Sequence, residues 1–446
     1  KKHLFSGQSY MGAISLNICA LISNVTASSW LNKNGVLAFL MPQTLMTQDS
    51  YAGFRNFYID YKNKKRMYLQ KLDDWSKSGN PFVEIQEKFM TYYYKKNFLD
   101  YYKDGIPVSK FSKKKKFSIK EINKNQYFND VKKYFDESSD IKAYQLDKKR
   151  TGYTTISVNN FNTKRNFNSI IGVSEYKARS GVEFTPAEIY FVEPKQKSNN
   201  NENYIFTSMS FSSSIYKSTN KLPFQLETNF IRPVIKAPEI EPFKFKKNNN
   251  YCIFPYEENS TNSVSLNKLL EISPSLFKYL SSNKKVISKQ SKRSLSIAKG
   301  KEFYSLSKVG LYTFSPYKVT FRDNTTLSAA VVKPIKSPWG KIIDPVCAKH
   351  CPYISQDKKG RDISEDEAYY LSGILNSQIV KDYFKNTYSG RSYSINFNIK
   401  IPLFNKRNDI HKKLSLIAKK AENSKDHYRI LNELDNLYLR LCNDSK

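Results

Sequence analysis

The sequence predicts an α/β segment, then a larger mixed α+β domain and a helical tail, and three observations carry that expectation. A continuous apolar run, Val36 to Met41, follows an uncharged helical stretch and closes at Pro42, as a helix feeding a buried strand does. From Lys120 to Phe404, short β-like and aromatic runs alternate with Asn, Ser, Gly and Pro clusters, the pattern of a loop-rich mixed domain. Beyond Asn408 the apolar residues return at helical spacing. With 446 residues the chain exceeds the roughly 250–300 at which one core stops growing, so two or three domains are expected.

No residue from Phe5 to Asn32 is charged, yet Gly, Ser, Asn, Gln and Thr interrupt the stretch. Ile14, Ile18, Leu21, Ile22 and Val25 recur at helical spacing, so it reads as a core helix rather than a signal peptide or membrane span. Asn32-Lys33-Asn34-Gly35 is a turn into the first strand. Tyr68 to Leu72 and Phe89 to Tyr94 read as further strands, separated by the turn signal Lys77-Ser78-Gly79-Asn80-Pro81. The basic run from Ser109 to Lys120 reads as a linker, which sets a domain border near residue 105. Ser364, Glu365 and Glu367 open a helix whose apolar face is Leu371, Ile374, Leu375, Ile379 and Tyr383. In the tail, Leu414, Ile417, Ala418 and Ala421 make one helix, and Leu431, Leu434, Leu437 and Leu441 another.

Composition says what the surface attracts. Hydrophobic residues are 39% and aromatics 14%, with 32 Tyr and 29 Phe, so this is no disordered basic tail. Against 40 Asp and Glu stand 73 Lys and Arg; the resulting +33 concentrates polyanions, and nucleic acid is the first partner to consider. A Lys- and Asn-rich composition inherited from AT-rich coding sequence explains the same charge without a partner. Five cysteines, an odd and small number, argue for a reducing compartment, and the cytoplasm is expected. Cys347, His350 and Cys351 offer three metal ligands where structural zinc takes four, so no metal is expected. His3, His411 and His427 have no nucleophile or carboxylate at motif spacing and read as surface residues; no catalytic residue is assigned.

Lys177, Arg179 and Ser180 stand beside Gly181 in VSEYKARSGVEFTP, which suits a loop entering a groove, where Arg pairs with guanine and Lys with phosphate. Lys289, Lys292 and Arg293 in SKQSKRS, Lys318 and Arg322 in YKVTFRD, and Arg391 in YSGRSYS also stand among hydroxyl and aromatic residues. Each is equally an ordinary solvated cation.

The run GVLAFLMPQTLMTQDSYAGFR, Gly35 to Arg55, resembles the stretch after the catalytic motif in adenine-specific DNA methyltransferases of restriction-modification systems, of the Type IIG and Taq type. Leu69 to Tyr94 is similar to the last strands of that catalytic domain, FIRPVIKAPEI and YCIFPY to the opening of its target-recognition domain, and AYYLSGILNSQIVKDYF and NIKIPLFN to its closing helix and exit strand. The resemblance implies a Rossmann-like methyltransferase remnant at 1–105, a DNA target-recognition domain at 106–405 and a helical tail at 406–446. Duplex DNA is the implied partner and S-adenosylmethionine the implied cofactor, held mainly upstream. It also implies an aromatic that stacks on the flipped adenine, for which Tyr94 is the candidate; the alternative is a core aromatic.

Two family features are missing: the Gly-rich turn that holds the methyl donor and the Asn/Asp-Pro-Pro-aromatic motif that holds the target amine. Methyl transfer by this chain alone is therefore not expected. The implied role is recognition within a methyltransferase whose catalytic segment lies upstream. The alternatives are a non-catalytic specificity subunit beside a separate catalytic chain, and a decayed fragment.

Overall fold

A computed structural model describes residues 18–47, 51, 54–55, 57–60, 63, 65–79, 87–96, 105–115, 126–146, 153–158, 161–198, 203–209, 222–246, 249–258, 260–289, 301–322, 326–387, 398–424 and 427–444. The chain divides into two compact units, residues 1–171 with 382–390, and residues 172–381 with 391–446.

In the first unit, helix α1 (Ile18–Ser29) leads through the Asn32–Gly35 turn into strand β1 (Val36–Pro42). There follow α2 (Thr44–Thr47), β2 (Tyr58–Asp60), β3 (Lys65–Lys77), β4 (Phe89–Lys96), β5 (Ile106–Lys113), α3 (Phe128–Lys132), β6 (Phe135–Gln145), β7 (Tyr153–Ser157) and α4 (Phe161–Ile170). The strands form one sheet in the order β1-β4-β3-β5-β6-β7, with β2 on β3. β4 runs antiparallel to both its neighbours, and β3 with β5 is the parallel pair among the described strands of this sheet. The Rossmann-like character expected here therefore rests on the resemblance alone.

Three expectations change. Of the stripe expected on the helix, Ile22 and Val25 are about half exposed, whereas Ser23 and Ala27 are buried, Ser23 Oγ lying 3.6 Å from Met41 Sδ; Ile14 lies outside the described residues. β1 buries one face, Leu37 and Met41, and leaves Val36 and Leu40 at 53% and 47% exposure, so its apolar run is not covered on both sides by described residues. The border near 105 falls within the sheet. Residues 106–113, read as the threshold of a linker, are a central strand with Ile106, Val108 and Phe111 buried and Phe111 stacked on Trp75 at 4.2 Å. A bulge after Val108 breaks the alternation, with Val108 and Ser109 both buried and Lys110 and Lys113 three residues apart, so the period of two did not show in the sequence.

The second unit runs through β8 (Tyr176–Arg179), α5 (Ala187–Tyr190), β9 (Phe191–Lys197), β10 (Asn203–Ser208), β11 (Phe224–Glu227), β12 (Ile231–Ile235), β13 (Ile240–Glu241), β14 (Lys244–Phe245) and β15 (Tyr251–Ile253). Three short helices follow, α6 (Leu266–Ile272), α7 (Pro274–Ser282) and α8 (Lys284–Ser288). Then come β16 (Lys318–Phe321), β17 (Ala329–Val332), β18 (Ile335–Lys336), β19 (Ile342–Ile343), β20 (Val346–Cys347) and β21 (Tyr353–Asp357). Helices α9 (Glu365–Asn376), α10 (Gln378–Thr387), α11 (Asp409–Ala421) and α12 (His427–Asp444) complete the order, the last residues of α10 belonging to the first unit.

Two main sheets build this unit, β11-β10-β9-β15-β12-β20 and β17-β16-β21-β8. The first sheet and helices α6 to α8 enclose a core that includes Tyr190, Val192, Ile253, Phe254, Leu276 and Leu280. α9 is almost wholly buried against β16, β17, α11 and α12. Its start is the expected reciprocal cap: Glu367 N donates to Ser364 Oγ and Ser364 N to Glu367 Oε2, both at 3.3 Å. The helix expected to continue to Tyr383 breaks at Ser377, whose backbone turns extended. There Asn376 bonds both backbone groups of Ala329, accepting from its N at 3.1 Å and donating to its O at 2.7 Å. The tail is no separate segment, since α11 docks on α9 with Ser415 Oγ donating to Asp366 O at 2.7 Å. His411, expected at the surface, is 4% exposed, stacks on Tyr370 at 4.8 Å and accepts from Asn405 N through Nδ1.

Candidate nucleic-acid interface

Strand β8 alternates. Tyr176 and Ala178 point inward, while Lys177 is exposed and Arg179 half-buried, so the two cations share one face of the sheet's edge strand. β21 runs antiparallel beside it, with Tyr353 opposite Arg179 and Gln356 opposite Lys177. The Arg179 guanidinium carbon lies 4.7 Å from the Tyr312 ring centroid. Stacking of this kind fixes the guanidinium plane and leaves its edge donors available, the arrangement that bidentate contact with a base or phosphate needs.

Next in sequence, Ser180 is half-buried and Gly181 has no room for a side chain: a Cβ there would stand 2.0 Å from Ala348 O. Gly181 is thus a close approach of two backbones, fixed by Val182 N donating to Cys347 O at 2.8 Å, rather than a flexible tip. Glu183 then gathers cations, with Lys308 Nζ at 2.8 Å, Lys349 Nζ at 3.9 Å and Ser307 Oγ donating at 3.0 Å. Burial pushes the Glu183 carboxyl up, but these donors and charges outweigh it, so it stays below the usual carboxylate range and ionised.

Beneath β8 lies a polar network that is buried at Tyr176, Asp357 and Glu367 and open to solvent at Arg361. Tyr176 OH donates to Glu367 Oε1 at 2.6 Å and accepts from Phe404 N at 2.8 Å, while Arg361 grips Glu367 with both terminal nitrogens, at 3.0 and 2.8 Å. Arg361 also reaches Asp357, whose other oxygen accepts from Lys359 N and Arg361 N. This closes the turn Asp357-Lys358-Lys359-Gly360-Arg361 with Gly360 at φ +86°, and Lys358 N donates to Glu175 O at 2.9 Å. The turn therefore adjoins the start of β8 and adds exposed Lys358 and Lys359 to its basic character. Sequence reasoning passed over these two lysines, although DKKGRD carries a turn signal inside a basic run.

The other expected contacts divide. Lys289 is exposed after α8, and Arg322 closes β16 half-buried, its N donating to Ser328 O. Lys292, Arg293 and Arg391 lie outside the described residues. Lys318 is a correction: it is 0% exposed and donates to Ser315 O at 2.5 Å and Pro345 O at 3.3 Å, so it cannot meet a phosphate from this position. Burial holds its ammonium below the ordinary lysine value. Tyr94 is a second correction: fully buried in β4, it packs edge-on against Phe57 at 4.8 Å and Phe54 at 5.5 Å, with no ring face open to a base. Cys347 and Cys351 are buried, and burial pushes the Cys347 thiol up to about 11, away from the thiolate that binds metal.

No family profile matches the sequence, and no curated protein matches it. Among solved structures the chain is similar to the type IIG restriction endonuclease BpuSI, at 11% identity and TM-score 0.28 over 99% of this chain and 51% of that one. It is similar to the ATP-dependent type ISP restriction-modification enzyme LlaBIII bound to DNA, at 11% identity and TM-score 0.39 over 93% of this chain and 28% of that one. A third likeness is to DrdV in a DNA complex, at 9% identity and TM-score 0.38 over 88% and 38%. The chain thus spans from 28% to 51% of these structures' length.

Proposed function

We propose that this chain reads duplex DNA as the target-recognition part of a site-specific adenine DNA methyltransferase in a restriction-modification system. The observation that carries the reading is the β8 face: the Tyr312-stacked Arg179 presents a fixed guanidinium and Lys177 an exposed ammonium, with the Lys358–Lys359 turn beside them, on a chain of net charge +33. Lys177, Lys358 and Lys359 bind phosphate through their ammonium groups, and Arg179 reads a base edge.

The first unit supports the methyltransferase part of the reading. Among the described residues β1 is paired on one edge only, and its outer face exposes Val36 and Leu40. An apolar strand left open on an edge and a face is a place for further sheet to add. On this reading the rest of the catalytic domain, with the S-adenosylmethionine site and the motif that holds the adenine amine, belongs to a segment upstream of residue 1.

Single Lys177→Ala and Arg179→Ala variants, measured against a panel of duplexes, test the proposal. Arg179→Ala should cost about 1–3 kcal/mol on one sequence and little on the rest, whereas Lys177→Ala should weaken all alike. Wild-type binding by both variants on every duplex would remove β8 from the interface.

A further inference from the structure

A cavity of about 760 Å³ opens in the second unit where the ends of β10 and β11 meet the β18–β19 hairpin. Its size falls within the roughly 300–1,000 Å³ of small-ligand sites. Lys197, Lys336 and Lys341 line it, all exposed, and among the described residues none lies within ion-pair distance of a carboxylate. The acid in the lining, Glu227, is turned away onto the first amides of α7, accepting from Ser275 N at 2.9 Å and Leu276 N at 3.0 Å. Three ammonium groups against one carboxylate that is already held by backbone amides leave the cavity net positive, which calls for an anion.

The wall adds a second requirement. Trp339 lines the cavity and packs edge-on against Tyr204 at 5.5 Å and Phe206 at 6.1 Å, which fixes its ring plane. The turn that carries it is preorganised: Ser337 N donates to Lys341 O at 2.8 Å, Gly340 N to Ser337 O at 2.9 Å, and Tyr204 OH to Pro338 O at 3.2 Å. Gly340 has φ +86°, which a side chain would resist. The indole Nε1 is buried with no acceptor among the described residues. Asn203 and Asn229 add amide groups at the rim.

We propose that this cavity binds a nucleoside phosphate, its lysines holding the phosphate and its Tyr204–Trp339 wall the flat base. The site shares no lining residue with the β8 face. It does not rest on the DNA-reading role, because a free nucleotide and a nucleotide of a strand present the same chemistry.

Calorimetric titration of the full chain with deoxyadenosine monophosphate, with inorganic phosphate and with a six-nucleotide single-stranded oligonucleotide tests the site. A nucleotide-bearing probe should bind at least tenfold more tightly than inorganic phosphate. The double change K336A/K341A should weaken it at least tenfold without moving the thermal transition, whereas K413A/K420A, which removes two exposed α11 lysines, should leave it unchanged. Saturation by the monophosphate identifies a free nucleotide as the ligand; saturation by the oligonucleotide alone, lost in K336A/K341A, identifies a strand. Equal affinity for inorganic phosphate, unchanged affinity in K336A/K341A, equal loss in the α11 control, or no binding of either nucleotide probe overturns the proposal. Arg179→Ala should leave monophosphate affinity unchanged, which separates this failure from that of the β8 interface.

Discussion

Tyr176 joins the candidate interface to the core through one hydroxyl. It donates to the carboxylate of Glu367 and accepts from Phe404 N, and burial together with that carboxylate pushes its pKa well above the ordinary tyrosine value. Tyr176→Phe should therefore cost about 1.5–3 kcal/mol, the value of a hydrogen bond to a charged group, read as a lower urea midpoint with an unchanged slope. His411 makes a pH-dependent prediction. Burial lowers its pKa below 6.5, so above that pH folded and unfolded forms are both neutral. As pH falls through 6.5 the unfolded chain takes a proton that the folded chain refuses, and stability drops. His411→Gln should flatten this acid limb in urea titrations at pH 7.5, 6.5 and 5.5; an equally steep limb would place its origin elsewhere. At this scale the sequence exposed chemistry better than burial. Lys177 and Arg179 were expected on a loop, and the structure instead places them on one face of strand β8, whose short YKAR alternation sequence reasoning did not use; Lys318 was expected in solvent, but all four residues of β16 are buried.

Among the elements, α9 was the most legible. Its Ser364–Glu367 cap announced the start, and Ser364→Ala should destabilise the second unit by about 1 kcal/mol in thermal or urea unfolding. Its end was hidden, since the break at Ser377 comes from tertiary contact: the Asn376 side chain satisfies the backbone of Ala329 in β17, a partner 47 residues away. β5 failed for the opposite reason. Its pattern was local, but the bulge after Val108 and the basic residues that follow it made a central strand resemble a linker. β1 read as a strand buried on both faces, and the structure leaves one face to Val36 and Leu40.

For the whole molecule, three segments were expected, at 1–105, 106–405 and 406–446, whereas the chain divides into two compact units with other bounds. The first sheet takes three more strands after residue 105, so the first unit reaches Ile171, and the helical tail closes on α9 inside the second unit. Chain length and charge are global quantities that sequence gives directly; which lysines share a face depends on sheet register, and this is why Lys358 and Lys359 emerged only with the fold. The central claim is that the basic surface serves DNA rather than merely reflecting composition. Fluorescence anisotropy of a labelled duplex, titrated with the full chain between about 50 and 200 mM salt, tests it most directly, because each neutralised phosphate releases counterions. With roughly six phosphates contacted, the log-log slope of affinity against salt should be near −5. An affinity that does not change with salt, or no binding at the lowest salt, would contradict the account.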